Sequence, residues 1–278
     1  MSEAFAALAG PEFGGVLFNA VLRVNVAIAV AVLVVVLARL PVRRAYGPQA
    51  AYELWGLLPI AALAAVGVLP LLSAHSQTAV GLSIGGWTPP TGPTLAIWAA
   101  GAVALALTFA LAQARFMAAL AAGHAGPAVV GLISPRIVMP ADDGAYSAEE
   151  RELIRAHERA HVARKDPRAV AFVALAQCAC WFNPFVHLAA HLLRLDQELA
   201  CDAAVVLSRP RARGLYARTL LKTQLAASPL PFGCYWPARG AHPLEVRIAL
   251  LKRRSDKPLP PRAGDGGMMP PTVDAIRP

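Results

Sequence analysis

What this sequence has least of is charge. Its 26 basic and 17 acidic residues make up 15% of 278 positions, against roughly 25% in an ordinary soluble domain. The shortage excludes a disordered chain, a coiled coil and a freely soluble enzyme. It is also uneven. Glu3, Glu12, Arg23, Arg39, Arg43, Arg44 and Glu53 are the only charges before Arg115, and none falls between Trp55 and Ala114. Cysteine is scarce too. Cys178, Cys180, Cys201 and Cys234 are too few for a disulfide framework in a chain this long, and Cys178 and Cys180 lack the C-x-x-C spacing. They read as small buried apolar residues. No basic run interleaved with aromatics occurs, so the net charge of +9 suits a membrane-facing protein and not direct nucleic-acid binding. The start is acidic, without a basic n-region, so a cleaved signal peptide is not expected.

What is present is long apolar helix. A bilayer core needs about 20 apolar residues, and three segments qualify, at about 15–38, 55–72 and 94–114. The loop after the first holds Arg39, Arg43 and Arg44, while 73–93 holds no charge. Basic loops stay cytoplasmic, which puts the N-terminus outside and everything from Arg115 onward in the cytoplasm. Tyr52 and Trp55 then mark one interface, and Trp87 and Trp98 the other. Arg23 reads as an intramembrane charge or as a snorkelling side chain near the outer surface.

The remainder is ordinary protein. Residues 127–140 read as two short strands around Gly131 and Pro135. Ser147 followed by Glu150 is a capping box, so the spacing predicts a helix from there to Asp166-Pro167, where proline stops it. Within it lies His157-Glu158-Arg159-Ala160-His161. Histidines four apart leave one helix face a turn apart and can bind one Zn²⁺, with Glu158 placed as the base. A catalytic zinc takes a third protein ligand. Asn183-Pro184 caps a second long helix, reaching about Ser208, and Glu198 on it is the candidate. Asp202, one turn on, can accept the outer N–H of a ligand histidine. His187 and His191 share that stripe, and either could ligate metal, donate a proton (His191) or sit at an interface. Residues 169–193 carry no Lys, Arg, Asp or Glu. A fourth crossing there would separate Glu198 from His157, so a buried or surface-lying hairpin is expected instead.

These residues resemble the membrane-bound metallopeptidases of the BlaR/MecR antirepressor family. The resemblance is carried by three N-terminal spans, Ile137-Val-Met-Pro140, His157 to His161, Trp181-Phe-Asn-Pro184 and Glu198-Leu-Ala-Cys-Asp202. It implies a zincin-like domain of the gluzincin type, zinc, and cleavage of a transcriptional repressor or of the protease itself. His157, His161 and Glu198 look like the ligands and Glu158 the base. Tyr216, in another family-like stretch, is a candidate for oxyanion stabilisation or a core residue. The best-known members add an extracellular penicillin-binding sensor. Here the residues after Lys257 read as a Pro/Gly-rich disordered tail, and no S-x-x-K, S-D-N or K-T-G string occurs. Acylation by β-lactams is therefore not expected, and the signal is open.

The expected architecture is mainly α with a small β element. Residues 1–115 form a membrane domain, 116–252 a cytoplasmic zinc metallopeptidase domain, and 253–278 the tail. The expected partners are a cytoplasmic protein substrate such as a winged-helix repressor, the lipid bilayer, a sensor of unknown kind and a second copy in a homodimer. Two other readings stay open. One is a quality-control protease of the HtpX or CAAX-prenyl-protease type. The other is a non-catalytic receptor with a structural metal site.

Overall fold

Residues 17–46 are almost uniformly apolar, and they form one unbroken helix. In the computed structural model, which describes residues 11–68, 91–123, 126–139, 144–225 and 243–252, helix α1 runs Pro11–Tyr46. It carries Arg39, Arg43 and Arg44 on its last turns, where a loop was expected. The break comes at Gly47, whose φ of +93° suits glycine, followed by Pro48 in the first turn of the next helix. That helix begins as α2 (Pro48–Glu53), passes through a 3₁₀ turn (Leu54–Gly56) into α3 (Leu57–Leu63), and ends in a π turn (Ala64–Val68). Helix α4 spans Thr91–Ala121. Three helices are long and apolar enough to cross a membrane: Leu17–Tyr46, Pro48–Gly67 and Gly92–Ala121. Their exposed side chains include Val30, Leu37, Ile60, Leu63, Leu107 and Leu111, surface that suits lipid and not water. Arg23 donates to the Asn19 carbonyl one turn nearer the helix start, the direction of a snorkelling side chain. Trp87, Cys234 and the tail lie outside the described residues.

Strands β1 (Ala128–Val130) and β2 (Arg136–Val138) pair antiparallel, with Val129 opposite Ile137. Gly131 turns the chain at φ +103°, and a Cβ there would stand 2.6 Å from the Ser134 carbonyl oxygen. Helices α5 (Ala148–Ala163), α6 (Asp166–Ala179), α7 (Pro184–Ser208), α8 (Arg213–Leu225) and α9 (Pro243–Lys252) complete the fold. The architecture is mainly α with one two-stranded sheet, and the hairpin rests against α5.

The charge-free stretch 169–193 is the α6–α7 hairpin, doubling back at Cys180–Asn183. Neither arm is among the described helices long and apolar enough to cross a membrane. Asn183 caps α7 by accepting from the Phe185 N–H at 3.0 Å, and its amide donates to the Asn25 backbone and side-chain oxygens at 3.1 and 3.2 Å. At the other end of the contact, Asp196 meets Arg39. At 1.5 Å per residue, α7 therefore lies along α1 for about 20 Å. On the other flank the Trp98 indole donates to the Ala179 carbonyl at 2.7 Å, and Trp181 donates to the Trp98 carbonyl at 3.1 Å. Gly101 permits that approach, since a Cβ there would come within 2.2 Å of the Trp181 ring.

One core joins what the sequence divides at residue 115. Ile28, Val32 and Val35 of α1, Trp55 and Leu58 of the second helix, Val173 of α6 and Val186, Ala189 and Leu193 of α7 form a single buried cluster. A second cluster holds Leu153, Val205, Tyr216, Leu220 and Leu251 under the far side. Tyr52 and Trp55, two of the aromatics expected at an interface, make hydrogen bonds to buried acids. Trp55 is buried and donates to Asp196 Oδ2 at 3.0 Å, and Tyr52 donates to Asp166 at 2.8 Å. Asp196 is 1% exposed, with Arg39 at 2.8 Å and Arg43 at 3.5 Å. A buried charge left without its partner costs several kcal/mol. Arg39→Ala, which strands Asp196, is expected to destabilise the protein by about 3–5 kcal/mol, measured by denaturant unfolding in detergent micelles. An unchanged midpoint would show that Trp55 and Arg43 suffice to hold the carboxylate.

Candidate metal centre

Helix α5 starts where its capping box says it should. The Glu150 N–H reaches Ser147 Oγ at 3.2 Å, and the Ser147 N–H reaches Glu150 Oε2 at 2.8 Å. Its end differs from expectation. The helix stops at Ala163, Lys165 adopts a left-handed φ of +60°, and Asp166-Pro167 opens α6. Proline acts here as a first-turn residue and not as a stop. Asp166 thereby gains a role that helix termination does not supply. Its Oδ2 lies 2.7 Å from His161 Nδ1.

Helices α5 and α7 pack so that His157, His161 and Glu198 converge. His157 Nε2 is 3.1 Å from His161 Nε2 and 3.2 Å from Glu198 Oε2, and His161 Nε2 is 3.6 Å from Glu198 Oε1. Zinc bonds of roughly 2.0–2.2 Å at tetrahedral angles separate two donors by about 3.3–3.6 Å. The observed separations come within about 0.2 Å of that range, with Glu198 presenting one carboxylate oxygen to each histidine. Glu198 keeps 32% of its side chain exposed, against 12% and 13% for the histidines. Cys201 is an alternative third donor, because its sulfur also lies within 4.8 Å of a nitrogen on each histidine. Its position argues against it. The sulfur is nearly equidistant from both nitrogens of His161, at 3.2 and 3.4 Å, so it lies beside the ring and not along the Nε2 lone pair. It also accepts from Arg164, and burial pushes its thiol up, away from the ligating thiolate.

The outer nitrogens are both engaged. With a metal on Nε2, each Nδ1 carries the proton. His161 then donates to Asp166, and His157 donates to the Tyr216 hydroxyl at 2.8 Å, which in turn donates to Asp202 Oδ1 at 2.6 Å. Two expectations change accordingly. Asp202 stands 3.6 Å from His157 Nδ1 and reaches it through Tyr216 instead of directly. Tyr216, 3% exposed, has its hydroxyl on Nδ1 of His157, the nitrogen remote from His161 and Glu198. Burial and the neighbouring Asp202 keep it firmly un-ionised. His191 is not brought to the centre. It lies about 10 Å along α7 from Glu198, and no contact described here links the two. His187 is used locally, hydrogen-bonded to Gln177 and to the Trp181 carbonyl.

Arg247 of α9 completes the cluster. It binds Asp202 through two bonds of 2.8 Å and reaches Glu198 Oε2 at 3.0 Å, while only 5% exposed. Burial alone would raise the Glu198 carboxyl, but Arg247 and the two histidines outweigh it and hold it well below the usual carboxylate range. It therefore stays a charged donor. Glu158 is 7% exposed, and burial pushes its carboxyl up against the pull of His157 and His161. No hydrogen bond described here occupies it. Arg247 had no local signature, since its pairing depends on α9 folding back. Asp166 was visible five residues after His161, but Asp-Pro punctuation masked it.

Three described helices suit a membrane span, and a group of possible metal donors lies between α5 and α7. Residues 117–251 match the family described as BlaR1 peptidase M56. It is similar to Regulatory protein BlaR1 of Bacillus licheniformis, 33% identical over 97 residues, which cover 34% of this chain and 16% of that relative. The match thus spans under a fifth of the relative's length. No solved structure matches the chain significantly. Tyr216→Phe removes the relay between His157 and Asp202 while Arg247 still satisfies the carboxylate. It is expected to weaken Zn²⁺ binding about 10–100-fold, read by competition with a chromophoric chelator. Unchanged affinity would show that His157 needs no hydroxyl to aim it.

Proposed function

We propose that this chain is a membrane-bound zinc metalloendopeptidase, with His157, His161 and Glu198 holding the metal and Glu158 as the base. The observation that carries it is the donor triangle of 3.1, 3.2 and 3.6 Å between residues of two separate helices. When bound, zinc supplies a Lewis acid that lowers the pKa of water toward 7 and polarises a carbonyl. The chain's own residues do the rest. Glu158, partly desolvated, takes a proton from the attacking water and delivers it to the leaving amine nitrogen. Asp166 and the Tyr216–Asp202 pair hold the two imidazoles in their working tautomer. Arg247 fixes Glu198 and keeps it ionised. The β1–β2 hairpin, lying against α5, offers an edge on which an extended substrate adds as a strand.

The division into a membrane part (1–115), a peptidase part (116–252) and a tail belongs to this reading. So do an outside N-terminus and a cytoplasmic site. Arg39 and Arg43, near the end of α1, meet Asp196, two residues before Glu198, which supports a metal centre at the basic, cytoplasmic edge of the bilayer. The substrate is a cytoplasmic protein. A transcriptional repressor is the candidate, supported by similarity to a protein named as regulatory and by a position suited to relaying a membrane event.

Glu158→Gln keeps the shape of the side chain and removes its basicity. It is expected to retain zinc and to lose about 10²–10⁴-fold in peptide hydrolysis, measured on a fluorogenic peptide library with the full chain in detergent. Wild-type turnover in that variant would refute Glu158 as base. Removing metal with a chelator is expected to abolish hydrolysis, and Zn²⁺ should restore it. Activity that survives chelation would exclude the metallopeptidase reading.

A further inference from the structure

Polar side chains of the first two membrane-class helices reach two buried acids beside the metal centre, Asp166 and Asp196. The Tyr52 hydroxyl donates to Asp166 Oδ1 at 2.8 Å, and Asp166 Oδ2 lies 2.7 Å from His161 Nδ1. Residues 52 and 166 are 114 positions apart. Arg164 completes the unit. Its guanidinium carbon stands 5.2 Å from the Tyr52 ring centroid, and its nitrogens bind Asp166 at 2.6 and 3.3 Å. On the other ligand helix, Arg39 and Trp55 hold Asp196, two residues before Glu198. The Asp196 contacts fasten α7 to the spans. The Tyr52 contact does something more specific.

A carboxylate aims a histidine only if its own plane is held. Asp166 Oδ2 serves His161 and Arg164. Oδ1 serves Tyr52 at 2.8 Å and Arg164 at a longer 3.3 Å. Without the hydroxyl, Oδ1 keeps only the longer bond, and the carboxylate gains freedom to turn about its Cβ–Cγ axis. That rotation moves Oδ2 relative to His161 Nδ1, and with it the direction of the Nε2 lone pair. Tyr52 of α2 is half-buried, and its hydroxyl meets Asp166 at the start of α6, so a shift of the second membrane helix against α6 would travel two hydrogen bonds to His161.

We propose that Tyr52 is a positioning residue of the metal centre, through which the helices of the first two spans set the orientation of His161 by way of Asp166. This rests on the reading that His157, His161 and Glu198 hold zinc. The test uses the full chain in detergent micelles with Tyr52→Phe, Asp166→Asn and His157→Ala. Tyr52→Phe removes the hydroxyl and keeps the ring under Arg164. Three quantities are read: Zn²⁺ affinity by chelator competition, the visible ligand-field spectrum with Co²⁺, and the thermal midpoint of the metal-free protein. Loss of an outer partner typically costs about 10–100-fold in metal affinity, the range expected for Asp166→Asn. Tyr52→Phe, one bond further out, is expected to cost about 3–10-fold, to shift the Co²⁺ bands, and to leave the metal-free midpoint near wild type. Wild-type affinity and spectrum in Tyr52→Phe, with Asp166→Asn weakened, would overturn the proposal and leave the metal site standing. A lowered metal-free midpoint with unchanged affinity would also overturn it, by making Tyr52 purely structural. Unchanged Zn²⁺ affinity in His157→Ala would instead overturn the metal reading beneath it.

Discussion

A carboxylate taken out of water must find a partner, and three such carboxylates organise this molecule. Asp166, Asp196 and Asp202 are each 3% exposed or less. An unpaired charge in that position would cost several kcal/mol, so each one draws in a distant segment. Asp196 binds Arg39 and Trp55 from the first two membrane helices. Asp166 binds Tyr52, Arg164 and His161. Asp202 binds Arg247 from the last helix and Tyr216 from α8. The histidines of α5 and Glu198 of α7 meet at the centre of these three demands. Apolar packing sets which helices touch, while the buried acids set their register.

The membrane helices and the peptidase segment are consequently parts of one folded unit. Their shared core, from Ile28 to Leu193, means that moving α1 or α2 cannot leave α7 unaffected. The α6–α7 hairpin is the connecting piece. Its tip is fastened by Asn183 to Asn25 and by Trp181 to Trp98, deep among apolar helices. Its open end carries Asp166 on one arm and Asp196 and Glu198 on the other. Because both arms are helices, contacts at the tip and at the Arg39 level bear on where Asp166 and Glu198 stand.

Much of this was legible from residue order. The capping box at Ser147, the Asn183-Pro184 start of α7, the two short strands and the three apolar helices all depend on neighbours within a few positions. So does the pairing of His157 with His161 on one face. Where local logic misled, a distant partner had intervened. Asp166-Pro167 has the form of a stop signal, yet the acid's place was decided by His161 and Tyr52. Tyr216 has the form of a core residue or an oxyanion donor, yet its hydroxyl bridges a ligand to Asp202. Trp55 and Tyr52 have the form of interfacial aromatics, yet both are hydrogen-bonded to buried acids.

By itself, the sequence determined which segments avoid water, where most helices begin, and that two imidazoles would leave one helix face with a carboxylate beside them. Those follow from periodicity, capping and hydropathy, which act over one or two turns. Only the tertiary structure decided that Glu198 closes the donor triangle, that Arg247 keeps it charged, and that Tyr52 touches the acid behind His161. Such pairings span between 37 and 157 positions, and they exist because burial of a charge leaves the chain no cheaper arrangement than bringing its partner to it.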